Sequence, residues 1–577
     1  PWIVNSYVRF PTETLTAYVT GESTRLWAER WPSGPPRLAL GLIVSGATAL
    51  LTWSLAAVTV SVRPVLSWLL VASVVGGGLS AHAAEIRFSI HDLRAPGQVW
   101  DVRPVDLDGD GARDLAAFVV RDGFSANPRR FLALFYQRDG RFPLEPDQLV
   151  ELPPQAVARA VADWEPQRRG AEIGWLTPDG IELWPRGPKG YGGERRVLVR
   201  DRGFFDMSSG NQLPSFRDLV ADVDGDGRLD VLFPRKREAA LWLAGEGGVR
   251  LAGRMPVRFR QSYGNRAKQI LLGRFLDVDA RGGRAVLVRV NRDRLLDVVT
   301  IRERRIACWL QKPGGRFGID PDWEVKLDLL PLEGGKRDAL DRVEVEIVDV
   351  DHDGWADCVV YRNTGKVGVF SSLRTQLLYF PGGPRGWRTG RPKQIVNLNG
   401  VSIAPVLLDV DNDGRRDLVL SSLRTDLITN VKRALFKSVK VTYYVYRFDR
   451  SRRSFEPSPG FRRDIDVDVE RIEGGGTVPL AYFWGDYDGD GIRDMLTLAT
   501  DDEVTIYPGR MRGGGFFSGE RRLVYPEDEK TVLQLETSNS LWIEDLNGDG
   551  RHDLVFHYWA DDYKRTERGK ITVVLSR

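Results

Sequence analysis

Nine residues, Asp486 to Asp494, have the types and spacing to hold a hard cation. Carboxylates from Asp486, Asp488, Asp490 and Asp494 stand at positions one, three, five and nine of the stretch, and Gly491 stands at position six. That spacing turns oxygens inward around one ion, and the backbone carbonyl of Ile492 at position seven adds another. Calcium, which accepts six to eight oxygens in a flexible shell, suits such a loop best, and glycine permits the sharp turn. An EF-hand opens with the same spacing, but helices flank it. Here Pro479-Leu480-Ala481-Tyr482-Phe483-Trp484 before the loop and Met495-Leu496-Thr497-Leu498 after it have the composition of strands. The loop is therefore expected to join two strands of a hairpin.

The loop recurs five times. Asp106, Asp108, Asp110 and Asp114 form one copy, with the Ala112 carbonyl at position seven. Asp222, Asp224, Asp226 and Asp230 form the next, with Arg228. Asp349, Asp351, Asp353 and Asp357 follow with Trp355, then Asp409, Asp411, Asp413 and Asp417 with Arg415. The last copy has Asp545, Asn547, Asp549 and Asp553 with Arg551, so its position three is uncharged. Six intact loops predict about six calcium ions. The chain resembles the FG-GAP/VCBS repeat family over residues 85–577, the calcium-loop β-propellers related to the integrin α-subunit head. That resemblance implies a calcium-stabilised propeller that binds a protein or glycan.

Loop starts give a period. Asp106 to Asp222 is 116 residues, two steps of 58, while Asp349 to Asp409 is 60 and Asp486 to Asp545 is 59. A period near 60 is a repeat architecture. Two double-length gaps predict worn copies. One is at Asp163-Trp164-Glu165, followed by Glu172. The other is at Asn291, Asp293 and Asp297, where Arg289 replaces the first Asp and Arg294 the glycine. Neither is expected to hold calcium. Each unit has four short strands, such as Val99 to Val105, Leu115 to Val120, Phe131 to Tyr136 and Gln148 to Leu152. The fold class is all-β, a propeller of four-stranded blades. Eight units are favoured, with the family's commoner seven as the alternative. The last unit ends after three strands, so the spare strand Ile86 to Ile90 is expected to complete it and close the ring. The tryptophans are expected to pack between blades.

The step from Asp409 to Asp486 is 77 residues, too long by about one helical insertion, placed near 424–438. Leu427, Ile428, Val431 and Leu435 there follow helical spacing, with Lys432, Arg433 and Lys437 beside them. This segment is expected to be a short helix that covers the rim, with a partner-docking element as the alternative. Arg450-Ser451-Arg452-Arg453 is expected to be a solvated turn.

The N-terminal region has a different character. Val65 to Val75 is apolar, and Ala81-His82-Ala83 after it is a small-x-small cleavage site, so residues 60–83 have the layout of a signal peptide and 84–577 that of an exported mature chain. Residues 1–59 are expected to be upstream sequence outside the mature protein. The apolar run Leu38 to Val62 is long enough to span a bilayer, and a membrane anchor is the alternative. A formal net charge of +3 gives no bulk pull toward nucleic acid. Cys308 and Cys358 lie in strand-like runs and are expected to be buried thiols.

Catalytic signals are poor. There is no His-Glu-x-x-His, no Gly-x-Ser-x-Gly and no phosphate-cradling glycine loop, and calcium already accounts for the paired carboxylates. The function expected is a monomeric, exported, non-enzymatic adhesion scaffold for a protein or glycan. The alternative is a calcium-dependent, polysaccharide lyase-like enzyme, which would need Arg, Lys, Tyr and carboxylates not committed to calcium.

Overall fold

The computed structural model describes residues 86–122, 129–203, 216–257, 259–265, 276–282, 284–302, 305–327, 343–364, 374–402, 405–423, 438–468, 481–498, 500, 502–513, 521–536, 540–558 and 569–577. The segments expected at 1–59 and 60–83 lie outside them. So does the insertion expected near 424–438, except Ser438, which begins a strand.

Eight four-stranded antiparallel sheets follow one another along the chain, each repeating the same up-and-down order. Blade one is Gln98–Val105, Asp114–Arg121, Arg129–Phe135 and Gln148–Glu151. Blade two is Ala158–Ala162, Glu172–Thr177, Gly180–Trp184 and Arg196–Arg200. Blades three to seven begin at Val220, Arg284, Val343, Val406 and Ala481. In blade eight the order is Ser540–Glu544, Asp553–His557, Gly569–Ser576, then Phe88–Ala95 from the other end of the chain. Phe88 pairs with Ser576 and Ala95 with Gly569. The closing strand thus begins two residues later and runs five residues further than the Ile86 to Ile90 expected. Among the described residues the only helical piece is the 3-10 turn Arg217–Leu219.

The hydrophobic cores lie between blades, which explains the continuous apolar runs of the second strands. Side chains alternate across a strand. Leu115, Ala117 and Val119 therefore pack on blade eight, with Val555, Ile571 and Val573. Their neighbours Ala116, Phe118 and Val120 pack on blade two, with Ile173, Trp175 and Trp184. Both faces are buried, so neither can be polar. Between blades six and seven the joint is aromatic: Phe461, Phe483 and Tyr525 meet edge to face, with ring centroids 4.7–6.5 Å apart. Cys308 and Cys358 are free thiols in one core between blades four and five. Trp164, Trp175, Trp184, Trp309 and Trp387 all sit in such joints.

His557 is buried at the joint of blades eight and one, near Asp101, Arg103 and Arg159. Burial pulls its pKa down from 6.5 to about 4, and the two arginines add to the effect. The unfolded chain then takes up the proton first, so this contribution is complete above pH 6.5 and is lost as pH falls through 4. At 1.36 kcal/mol per pKa unit it amounts to about 3 kcal/mol. The stability difference between wild type and His557→Gln, followed by denaturant unfolding of both from pH 7 to 4, should change by that amount.

Candidate metal centres

All six Asp-rich loops, and both worn ones, join the first strand of a blade to its second. They therefore share one face of the ring. Their fold is built from backbone N–H groups reaching the loop's own carboxylates. At position one, Asp106 accepts from Gly109 and Gly111 at 2.5 and 3.0 Å. Asp222, Asp486 and Asp545 do the same. The position-five carboxylate accepts the N–H of position seven at 2.8–2.9 Å in every copy. Position four, as well as six, is left-handed. His352 and Asn412 hold φ of 54° and 56° there, where other copies have glycine. That requirement is visible in sequence only as a Gly/His/Asn preference.

Position nine has a role that spacing alone did not reveal. Asp114 is fully buried; one oxygen accepts the Leu107 N–H at 2.8 Å and the other the Gln137 N–H at 2.7 Å, beyond the third strand. Asp230, Asp357, Asp417, Asp494 and Asp553 repeat both bonds. Position nine is therefore a staple between the loop and the third strand. Burial pushes these carboxyls up, to about 7 at Asp114, Asp230, Asp357 and Asp553 and to about 8 at Asp494; the two N–H donors oppose the shift.

The donor set fits a cation. One oxygen each from Asp106, Asp108 and Asp114 lies within 4.8 Å of the others, and the same holds for Asp222/Asp224/Asp230, Asp349/Asp351/Asp353, Asp409/Asp411/Asp417 and Asp486/Asp488/Asp494. Buried oxygens without a hydrogen-bond partner stand in four of these groups: Oδ1 of Asp108, Asp224, Asp349 and Asp411. A buried carboxylate oxygen left unpaired is costly, and a cation satisfies it. The loop at Asp545 has the same backbone, but Asn547 turns its amide toward Asp549 at 3.2 Å. The worn loop at Asn291 keeps the Asp297 staple, at 2.8 Å to both Val290 and Gln311. There the Arg289 guanidinium donates to the Arg294 carbonyl at 3.0 Å. In blade two Glu172 takes the staple's place, accepting from Trp164.

Neighbouring loops are joined as well. The position-eight N–H of Arg113 donates to the Leu546 carbonyl, that of Ala356 to Val290, Arg416 to Val350, and Arg493 to Val410, all at 2.8–3.0 Å. Gln137 Nε2 adds a bond to Leu546 at 2.9 Å across the ring closure.

The arginines at positions seven and eight stay close to the loops: Arg415 folds back on Asp413 at 2.6 Å, Arg493 donates to the Trp484 carbonyl, and Arg113 pairs with Glu544 at 3.3 Å. Further arginines that meet the loop carboxylates come from the turn between third and outer strands. Arg447 reaches Asp411, Arg453 reaches Asp351 and Asp353, and Arg510 reaches Asp488 and Asp490. They lie 20 to 102 residues from their partners, too far for local spacing to show.

No family model and no curated protein matches the chain. Among solved structures it is similar to an Agrocybe aegerita lectin described as recognising non-reducing terminal N-acetylglucosamine. That match is 14% identical, covers 77% of this chain and 99% of that one, and has a TM-score of 0.33. It is also similar to the V. cholerae biofilm matrix protein Bap1, at 11% identity over 84% of this chain and 88% of that one, with a TM-score of 0.25. With scores this low, the propeller rests on its own sheet order.

Proposed function

We propose that this chain is an exported, calcium-binding propeller of FG-GAP/VCBS type that holds a protein or glycan partner as an adhesion scaffold and catalyses no reaction. The observation that carries this reading is the gathering of three carboxylates within 4.8 Å in five loops on one face, with a buried oxygen left for a cation in four of them. Calcium would supply the positive charge that lets those carboxylates sit together. The chain's own residues do the rest: the position-one Asp folds the loop, and the position-nine Asp ties it to the third strand.

The lyase-like alternative needs a group of Arg, Tyr and carboxylate outside the loops. Glu346 and Tyr361, with Arg416 in electrostatic reach, form one such group between blades five and six. Tyr361 is buried there, and burial raises the Glu346 pKa. This favours a packed polar joint over a substrate cleft. A glycan array probed with the purified protein, with and without chelator, tests the scaffold. Calcium-dependent retention of intact glycans is expected. Cleavage of a bound polysaccharide with new unsaturated ends would overturn the non-catalytic reading.

A further inference from the structure

We infer that calcium gates an anion-binding crescent on the loop face of blades five to seven, and that its ligand is an acidic polysaccharide. This rests on the calcium reading above. The position-three side chain is charged in six loops, and in each an arginine from that face stands near it. Arg447 Nη2 lies 2.5 Å from Asp411, Arg453 Nη2 3.2 Å from Asp351 and 2.5 Å from Asp353, and Arg510 Nη1 2.7 Å from Asp488 and 2.8 Å from Asp490. Arg250 lies 3.7 Å from Asp224, Arg196 pairs with Glu165 of the worn second loop, and Arg186 lies within electrostatic reach of Asp108.

The chain contains its own control. In blade eight the third strand, Gly569–Ser576, and the outer strand, Phe88–Ala95, are not consecutive in sequence, so no turn joins them. There position three is Asn547, which carries no charge. In blade four it is Asn291, and the nearby turn arginine, Arg316, bonds to the Pro313 carbonyl instead. Acid at position three thus goes with a turn or outer-strand arginine.

Arginine and calcium compete for the same carboxylates. At Asp411 the guanidinium holds Oδ2 while Oδ1, buried, has no partner. A divalent ion seated in the loop takes up the carboxylate charge and repels the guanidinium, so the arginine's hold weakens. Three of these pairs, at Asp351, Asp411 and Asp488, occupy consecutive blades. Arg447 Nη1 also donates to the Arg521 carbonyl at 3.0 Å, tying the turn of blade six to the hairpin of blade seven. Arg453 and Arg512 already expose more than half of their side chains. Calcium therefore converts a crescent of internal ion pairs into one of available guanidinium groups. Guanidinium matches carboxylate and sulfate by two parallel hydrogen bonds, the recognition an acidic sugar chain needs.

The test uses the full chain and three measurements: calcium titration, retention on dextran sulfate, and retention on neutral dextran. Wild type should bind dextran sulfate at least tenfold more tightly with calcium than with chelator, and neutral dextran not at all. The triple variant Arg447→Gln, Arg453→Gln, Arg510→Gln should lose that gain yet bind calcium more tightly, because competing charges are gone. A purely structural role would weaken both. Equal retention with and without calcium, in a protein that does fill its loops, would overturn the gate alone. Empty loops in the titration would overturn the calcium reading itself. Retention of double-stranded DNA in place of dextran sulfate would overturn the polysaccharide assignment.

Discussion

Removing calcium should lower the melting midpoint by about 10 °C. A ligand bound only by the folded state stabilises it by about 2.7 kcal/mol per site at a hundredfold excess over Kd, so six loops could supply about 16 kcal/mol. Unfolding entropy near 2.1 cal/mol/K per residue over about 490 residues converts each kcal/mol into about 1 °C. The arginines that stand in as counter-ions at Asp351, Asp411 and Asp488 offset part of the loss, so the expected shift falls below the full sum. The closing strands Phe88–Ala95 and Gly569–Ser576 should become protease-sensitive first. Blade eight is held by Phe88–Ala95 pairing with Gly569–Ser576, a joint that closes a loop of nearly the whole domain and must repay its entropy. Differential scanning calorimetry with calcium and then with chelator measures the shift. A change of a degree or two would mean that the loops are not staples.

Asp553→Ala should destabilise the protein by about 2–5 kcal/mol, with calcium or without it. Asp553 is fully buried, and its two oxygens accept the Leu546 and Ser576 N–H groups, both at 2.8 Å. Each buried donor left without its acceptor costs about 1–3 kcal/mol. Ser576 is also the register partner of Phe88 and donates its hydroxyl to the His552 carbonyl at 2.6 Å, so the loss falls on the closing joint. Asp297→Ala, in a loop not expected to hold calcium, should cost a similar amount. Asp545→Ala should instead lose stability mainly when calcium is present. Denaturant unfolding of the three variants in both conditions separates staple from ligand. If Asp553→Ala behaves like wild type in chelator, the staple reading of position nine is wrong.

What sequence alone could show was local or periodic. The loops were legible because their carboxylates fall within nine residues. The eight blades favoured over seven were legible because two double-length gaps in a spacing near 60 each hold a worn copy, at Asp163 and Asn291. The closing strand was legible from a last unit short of one partner. The second bond of position nine was not, because Gln137 and Ser576 lie 23 residues from Asp114 and Asp553 across a strand pairing. The turn arginines were hidden for the same reason. Arg453 meets Asp351 only because blades five and six pack side by side, and Arg450-Ser451-Arg452-Arg453 taken alone has the composition of a solvated turn.

Calcium stoichiometry tests the central claim most directly. Metal analysis of the purified chain after dialysis against calcium buffer should give about six ions, falling to about five in Asp486→Ala and staying at six in Asp293→Ala. Three or fewer in the wild type, or a loss on substituting Asp293, would contradict the account.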